Sequence, residues 1–253
     1  VSGRLLLIGI GCGDPEHLTL RAARAIAELD VLFVVTKGRG PDDELVGLRR
    51  ELVRRHRPPG APLREVELAD PPRPWRTAPD YAEAVATWRA GRAALWRAAL
   101  ADITDGRTGG FLVWGDPSLY ESTLAVVQEV REGLALELEV IPGVSSVHAL
   151  TARHAIPLNR VGGAVQIMPA RRLAAHGMPD DVDDVVVMLD PDCAFTTLDP
   201  DGLDIHWGAF VGTPDELLLA GPLAQTGPRI VSARAAAKAR KGWMFDLYLL
   251  RRR

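Results

Sequence analysis

At 253 residues, with 47% hydrophobic and 25% charged content, the chain has the composition of a soluble globular protein and suffices for one large α/β domain or two small ones. A net charge of −3 offers no global attraction to nucleic acid or anionic membranes, and no apolar stretch reaches the length of a membrane span. The first apolar run lacks a cleavage-type small-residue site, and Cys12 and Cys193 are too few for a disulfide framework or zinc cage, so a cytoplasmic protein without a signal peptide is expected.

Residues 5–10 form a continuous apolar run, the mark of a strand buried on both faces. It ends in the turn Gly9-Ile10-Gly11-Cys12-Gly13-Asp14-Pro15. Leu20, Ala23, Ile26, Ala27 and Leu29 then recur at helical spacing behind Thr19, which is placed as an N-cap. With a second buried strand at 31–35, these elements compose a right-handed βαβ unit. A charged helix is expected over 43–55 and a short strand over 65–68. Prolines make 70–75 a surface loop. Tyr81, Val85, Trp88, Leu95 and Ala99 trace one face of a long helix, interrupted by Arg92. A strand over 109–114 leads into a second loop, Trp114-Gly115-Asp116-Pro117-Ser118-Leu119-Tyr120. A helix over 120–131 and a strand over 136–141 lead to a third, Ile141-Pro142-Gly143-Val144-Ser145-Ser146.

Residues 147–154 again have helical spacing, and the proline-bearing link 156–159 marks the expected boundary between domains 1–155 and 160–253. Beyond it, strands are expected at 164–168, 185–189, 205–211, 216–220 and 243–250. A short helix near 171–176, a solvated acidic turn at 180–184 and an irregular stretch at 190–201 separate them. Pro228 and Gly242 mark the start and end of a last helix. The first domain should hold a mostly parallel sheet and the second a mixed sheet with hairpins.

Each of the three loops follows an apolar run and precedes a helical pattern, so all three belong at C-terminal strand ends, where open α/β sheets bind ligands. The first loop is not a dinucleotide fingerprint: Asp14-Pro15 stand where the third glycine should open a helix, and the second strand ends in Thr36-Lys37 rather than an acid. No Gly-Lys-Ser/Thr follows it, and Leu7-Ile8 replace the acidic residue of the common methyltransferase nest. Alone, either Gly-Asp-Pro loop reads equally well as a simple turn, with glycines supplying positive φ and Asp14 or Asp116 capping it. Their recurrence beside the Pro-Gly-Val-Ser-Ser loop argues for a shared site.

Together these motifs resemble the tetrapyrrole (precorrin and uroporphyrinogen) methylases. That family's opening pattern, Gly-x-Gly-Pro-Gly-Asp-Pro-x-x-Leu-Thr, is matched from Gly9 to Thr19 with Cys12 in place of proline. Its Gly-Asp-Pro loop matches Gly115 to Pro117, and its Pro-Gly-x-Ser/Thr-Ser/Ala loop matches Pro142 to Ser146. Leu189 to Phe195, Trp207-Gly208, Gly212 to Glu216 and Arg240 to Trp243 look most like members that methylate a precorrin ring carbon and expel acetate in aerobic cobalamin synthesis. The alternatives are a precorrin or uroporphyrinogen methyltransferase without deacetylation, and a non-catalytic module that only binds S-adenosylmethionine.

The resemblance implies two α/β domains with a cofactor cleft between them, S-adenosylmethionine as cofactor, S-adenosylhomocysteine as product, a tetrapyrrole substrate and a homodimer. It assigns cofactor contacts to Trp114, Gly115, Asp116, Leu119, Ser145 and Ser146, and in the second domain to Met188, Leu189, Trp207, Gly208 and Ala220. Cys12 occupies the place of a proline that touches the cofactor in relatives. Methyl transfer needs mainly positioning. Release of an acetyl group needs water to attack a ketone, for which Asp14 and Tyr120 are the candidate catalytic residues. Only Lys37, Lys238 and Lys241 of the 30 cationic residues are lysine. Lys37, Arg39 and Arg153 are the candidates for binding substrate carboxylates by charge-assisted hydrogen bonds. His17, His56 and His176 have no companions at ligand spacing, and His148 and His154 share no helix face, so no metal site is expected.

Overall fold

The structure, a computed structural model, describes residues 2–36, 44–69, 71 and 79–253, with only the backbone described at 81 and 82. It divides into two compact units, residues 1–11 with 15–144 and residues 12–14 with 145–253. The link 156–159 lies inside the second unit.

In the first unit, β1 (Gly3–Gly9), β2 (Val31–Thr36), β3 (Arg64–Ala69), β4 (Thr108–Val113) and β5 (Leu136–Ile141) form an all-parallel sheet in the order β3-β2-β4-β1-β5. Leu6, Ile8, Leu32 and Val34 pack on one side with residues of α1 (Leu20–Ala27) and α2 (Glu44–His56). Leu5, Leu7, Val31 and Phe33 pack on the other with α3 (Tyr81–Ala101) and α4 (Thr123–Val130). Helices on both faces explain why these strands read as unbroken apolar runs. Thr19 caps α1 as expected, accepting from the Ala22 N–H at 3.1 Å.

Two expectations about this unit, on α3 and at the start of α4, are corrected. β1 and β2 lie parallel in one sheet, as a βαβ unit requires, with β4 between them, fitted by Gly109 and Gly110. A Cβ at those positions would stand 2.7 Å from Phe33 and 2.5 Å from Leu29. On α3 the buried stripe is Ala84, Arg92, Trp96 and Leu100, whereas Leu95 is exposed. Arg92 is part of that stripe because its guanidinium lies over the Trp88 and Trp96 rings and donates to Ser122 Oγ at 2.9 Å. Helix α4 begins at Thr123 rather than 120, since the Glu121 carboxylate accepts from both N and Oγ1 of Thr123 (2.8 and 2.6 Å), leaving Tyr120 outside at φ 50°.

In the second unit, α5 (Ser146–Arg153) precedes β6 (Val165–Pro169), α6 (Ala170–His176), β7 (Asp184–Met188), β8 (Leu203–Ala209), β9 (Leu217–Pro222), α7 (Leu223–Lys241) and β10 (Asp246–Arg252). The sheet order is β6-β7-β10-β8-β9, mixed as expected: β6 and β7 are parallel and every other pair antiparallel. Asp184 is not part of a solvated turn. It is fully buried and accepts from Arg251 Nε, whose residue stands opposite it on β10. Pro228 lies inside α7, because burial of Leu223, Thr226 and Gly227 starts the helix a turn earlier. Gly242 does end it, in the left-handed conformation at φ 74°. Among the described residues no helix is long and apolar enough to cross a membrane.

His206 on β8 meets His154, the C-cap of α5, edge to face at 5.4 Å. Burial, His154 and Arg251 hold the His206 imidazole below its ordinary 6.5, against the pull of Asp204 and Asp184. The folded chain therefore binds fewer protons here than the unfolded one, so this stability is present above the ordinary value and lost as pH falls through the lowered one. Melting scans between roughly pH 7.5 and 5.5 should show a steeper acid loss for the wild type than for His206→Gln. Equal slopes would remove His206 as the responsible group.

Candidate active site

Because β4, β1 and β5 are adjacent and parallel, the loops that follow them emerge side by side at one edge of the first sheet. Gly11 and Gly115, at φ 77° and 69°, form an isolated antiparallel bridge. The Gly115 N–H donates to the Gly11 carbonyl at 2.7 Å, and the Gly11 N–H returns the bond at 3.3 Å. Asp116 joins the second loop to the third: its Oδ2 accepts from the Gly143 N–H at 3.0 Å, while Oδ1 accepts from the N–H and hydroxyl of Ser118. Gly143 fits under this clip only without a side chain, since a Cβ there would stand 2.2 Å from the Gly115 carbonyl oxygen.

Both Asp116 oxygens accept from protein donors, so the geometry favours its turn-fixing reading over direct ligand contact. Trp114 is half-buried against the Leu6 and Ile8 side of the core, and Leu119 N–H donates to the Asp116 carbonyl at 3.3 Å. Tyr120 follows with 43% of its surface exposed.

The short stretch Cys12–Asp14 belongs with the second unit. Gly13, at φ 135°, lies against Thr213, whose Cγ2 would be 2.4 Å from a Cβ there. The adjoining turn is held by Glu216, which accepts from the Gly212 N–H at 2.9 Å and from Arg153 through Nε (2.7 Å) and Nη2 (2.5 Å). Arg153 therefore has an internal partner in addition to its half-exposed surface. Cys12 is buried, and burial with the nearby Asp14 and Glu216 charges pushes its thiol up to about 11. It is a protonated, apolar filler at neutral pH.

The other expected contacts of the second unit divide by exposure. Ser145 is buried with its hydroxyl on His148 Nδ1 at 3.0 Å, and Ser146 opens α5. Trp207 is fully buried with Nε1 donating to Asp246 at 3.0 Å, and this takes its indole away from any ligand. Gly208 is a packing glycine, where a Cβ would meet Leu150 and Val211 at 2.6 Å. Met188 closes β7, Leu189 projects beyond it, and Ala220 is exposed on β9. Lys37 and Arg39 lie outside the described residues. Glu216 and His148 were not singled out as site residues in the sequence; only Glu216 carried a signal, as part of the Gly212 to Glu216 segment.

Residues 4–226 match the family model of the Tetrapyrrole (Corrin/Porphyrin) Methylases. The chain belongs to this family. Among tetrapyrrole methylases, it is 43% identical over 253 residues to precorrin-6A synthase (deacetylating) of Sinorhizobium sp, covering 98% of this chain and 95% of that protein. It is 33% identical to a candidate cobalamin synthesis related protein (CobF) from Corynebacterium diphtheriae, whose crystal structure superposes with a TM-score of 0.82 over 99% of both chains. The methylase fold is shared at 21% identity and a TM-score of 0.61 with uroporphyrin-III C-methyl transferase of Thermus thermophilus, over 98% of this chain and 92% of that one, in a complex with S-adenyl homocysteine.

Proposed function

We propose that the protein transfers a methyl group from S-adenosylmethionine to a precorrin ring carbon and releases the acetyl group of its substrate as acetate, a step of cobalamin biosynthesis. The observation carrying this reading is the 43% identity, spread over 98% of the chain, with precorrin-6A synthase (deacetylating).

The residues fit such a cofactor in kind. Leu189 offers an apolar side chain 60% exposed on a left-handed backbone, the type of strain that gathers at ligand sites. The Cys12 thiol of the first loop is held protonated, so it does not compete for a reactive methyl group. Trp114, Gly115, Leu119, Ser146, Met188, Leu189 and Ala220 would hold the cofactor; Asp116, Ser145, Gly208 and Cys12 would support them from behind. Bound S-adenosylmethionine supplies a methyl group already activated by its sulfonium centre.

The protein's part in methyl transfer is therefore orientation. Deacetylation asks more of the side chains: water adds to the ketone carbonyl, the carbon–carbon bond to the ring breaks with its electron pair left on the macrocycle, and acetic acid departs. Asp14 takes the proton of that water, and the Tyr120 hydroxyl donates to the carbonyl oxygen as charge develops. Lys37, Arg39 and Arg153, the last oriented by Glu216, bind substrate carboxylates. The reading also expects a cytoplasmic homodimer, which light scattering on the purified protein checks for assembly.

Product mass tests it. With S-adenosylmethionine and an acetyl-bearing precorrin, the product should gain one methyl group and lose the acetyl group, with one acetate formed per methyl transferred. Methyl gain without acetate would favour a methyltransferase lacking deacetylation, and binding without product a non-catalytic module. Tyr120→Phe should slow acetate formation by about 100-fold while S-adenosylhomocysteine affinity is kept. Undiminished acetate formation in that variant would remove Tyr120 from the step.

A further inference from the structure

Just beyond β7 the chain enters the left-handed region twice at residues that carry side chains, at Leu189 (φ 56°) and Cys193 (φ 59°). Such conformations persist only where the surroundings over-determine them. Here the surroundings are a buried polar network spanning four segments of the second unit. Asp190, 5% exposed, accepts at Oδ1 from the Asp192 N–H (2.9 Å) and at Oδ2 from the Ala194 N–H (2.8 Å) and the Tyr248 hydroxyl (2.7 Å). Arg234, from α7, donates Nη2 to the Asp190 carbonyl (2.5 Å) and Nη1 to that of Pro191 (2.9 Å). Its Nε donates to Asp246 Oδ2 at 2.8 Å, which also receives Trp207 Nε1.

One guanidinium thus grips two consecutive carbonyls of a single turn, and one carboxylate staples the turn from within. Buried ion pairs are weak devices for stability, because apolar residues of similar volume often serve as well. This one instead specifies a single backbone path. The outcome of that path is at its leading edge: Leu189, the residue before the stapled aspartate, is thrown outward with 60% of its surface exposed, although it adjoins a strand whose other residues are mostly buried.

We infer that Arg234 and Asp190 are positioning residues for the methyl donor, holding Leu189 where it contacts the apolar part of that cofactor while touching nothing of it themselves. The inference rests on the proposed reading that Leu189 faces the cofactor.

The test is titration calorimetry with S-adenosylhomocysteine on the wild type, Arg234→Lys, Leu189→Gly and the double variant, with circular dichroism to verify folding. Arg234→Lys keeps the charge beside Asp246 but cannot grip two carbonyls, and Leu189→Gly removes both side chain and strain. Each should weaken binding by about 10-fold, the size expected for a lost leucine contact. The double variant should bind no more weakly than Leu189→Gly alone, since Arg234 acts only through Leu189. KM for S-adenosylmethionine should rise in Arg234→Lys with kcat unchanged, a split that general loosening of the fold would not produce. Should Arg234→Lys fail to fold, Asp190→Asn carries the same comparison. Wild-type affinity in the folded Arg234 or Asp190 variant, or losses that multiply in the double variant, would overturn the inference. A wild type that binds no S-adenosylhomocysteine would instead overturn the reading beneath it.

Discussion

Gly143→Ala is expected to abolish S-adenosylhomocysteine binding and to lower the melting temperature by roughly 5–10 °C, the range that follows from overpacking a tight site in a chain of this size. The added Cβ would stand 2.2 Å from the Gly115 carbonyl oxygen and 2.8 Å from the Gly9 carbonyl carbon. Both are backbone atoms, so no rotamer change relieves the clash. The third loop must move away from the other two, and in doing so it gives up the bond from its own N–H to Asp116. Gly47→Ala is the control, because a Cβ there meets nothing within 4 Å in the first turn of α2. That substitution should be neutral or stabilising by up to about 1 kcal/mol. If Gly143→Ala melted within a degree of the wild type and bound S-adenosylhomocysteine normally, the tight convergence of the three loops would have no functional weight.

The second large effect is expected at Asp116. Asn has nearly the same shape but one acceptor oxygen, so its amide group must face either the Gly143 or the Ser118 N–H, donor against donor. Losing a hydrogen bond to a charged acceptor costs about 1.5–3 kcal/mol, or roughly 10- to 100-fold in kcat/KM where the loop holds the cofactor. A clip and a ligand contact make different forecasts. If Asp116 works by joining loops, Asp116→Asn loses thermal stability and cofactor affinity together. Direct contact with the cofactor would cost affinity while leaving the melting temperature of the unliganded protein unchanged. Thermal scans without ligand, set beside calorimetry with it, separate the two.

Much of the fold could be read from local pattern. Continuous apolar runs at β1 and β2 signalled strands covered on both faces, and Thr19 and Gly242 bounded their helices as expected. Two of the misreadings share one cause. Arg92 and Asp184 are polar residues that the chain buries by supplying partners, the Trp88 and Trp96 rings and Ser122 for the first and Arg251 for the second. A local reading assigns polar residues to solvent because an unpartnered buried charge is prohibitive, and the partners lie up to 67 positions away.

The site divides the same way. That three glycine-bearing loops share one sheet edge was legible, because each follows a buried strand and parallel strands point their ends in one direction. What each residue does there was not. The chain order of Gly-Asp-Pro is the same whether its aspartate meets a cofactor or a neighbouring loop, and only the placement of Gly143 against Gly115 and Asp116 distinguishes them. Sequence alone determined the elements, their class and the family, since periodicity and turn chemistry are written in consecutive residues. Strand order, the buried ion pairs and the division between supporting and exposed site residues were decided by tertiary structure, because each depends on which distant group completes a hydrogen bond or fills the space beside a missing Cβ.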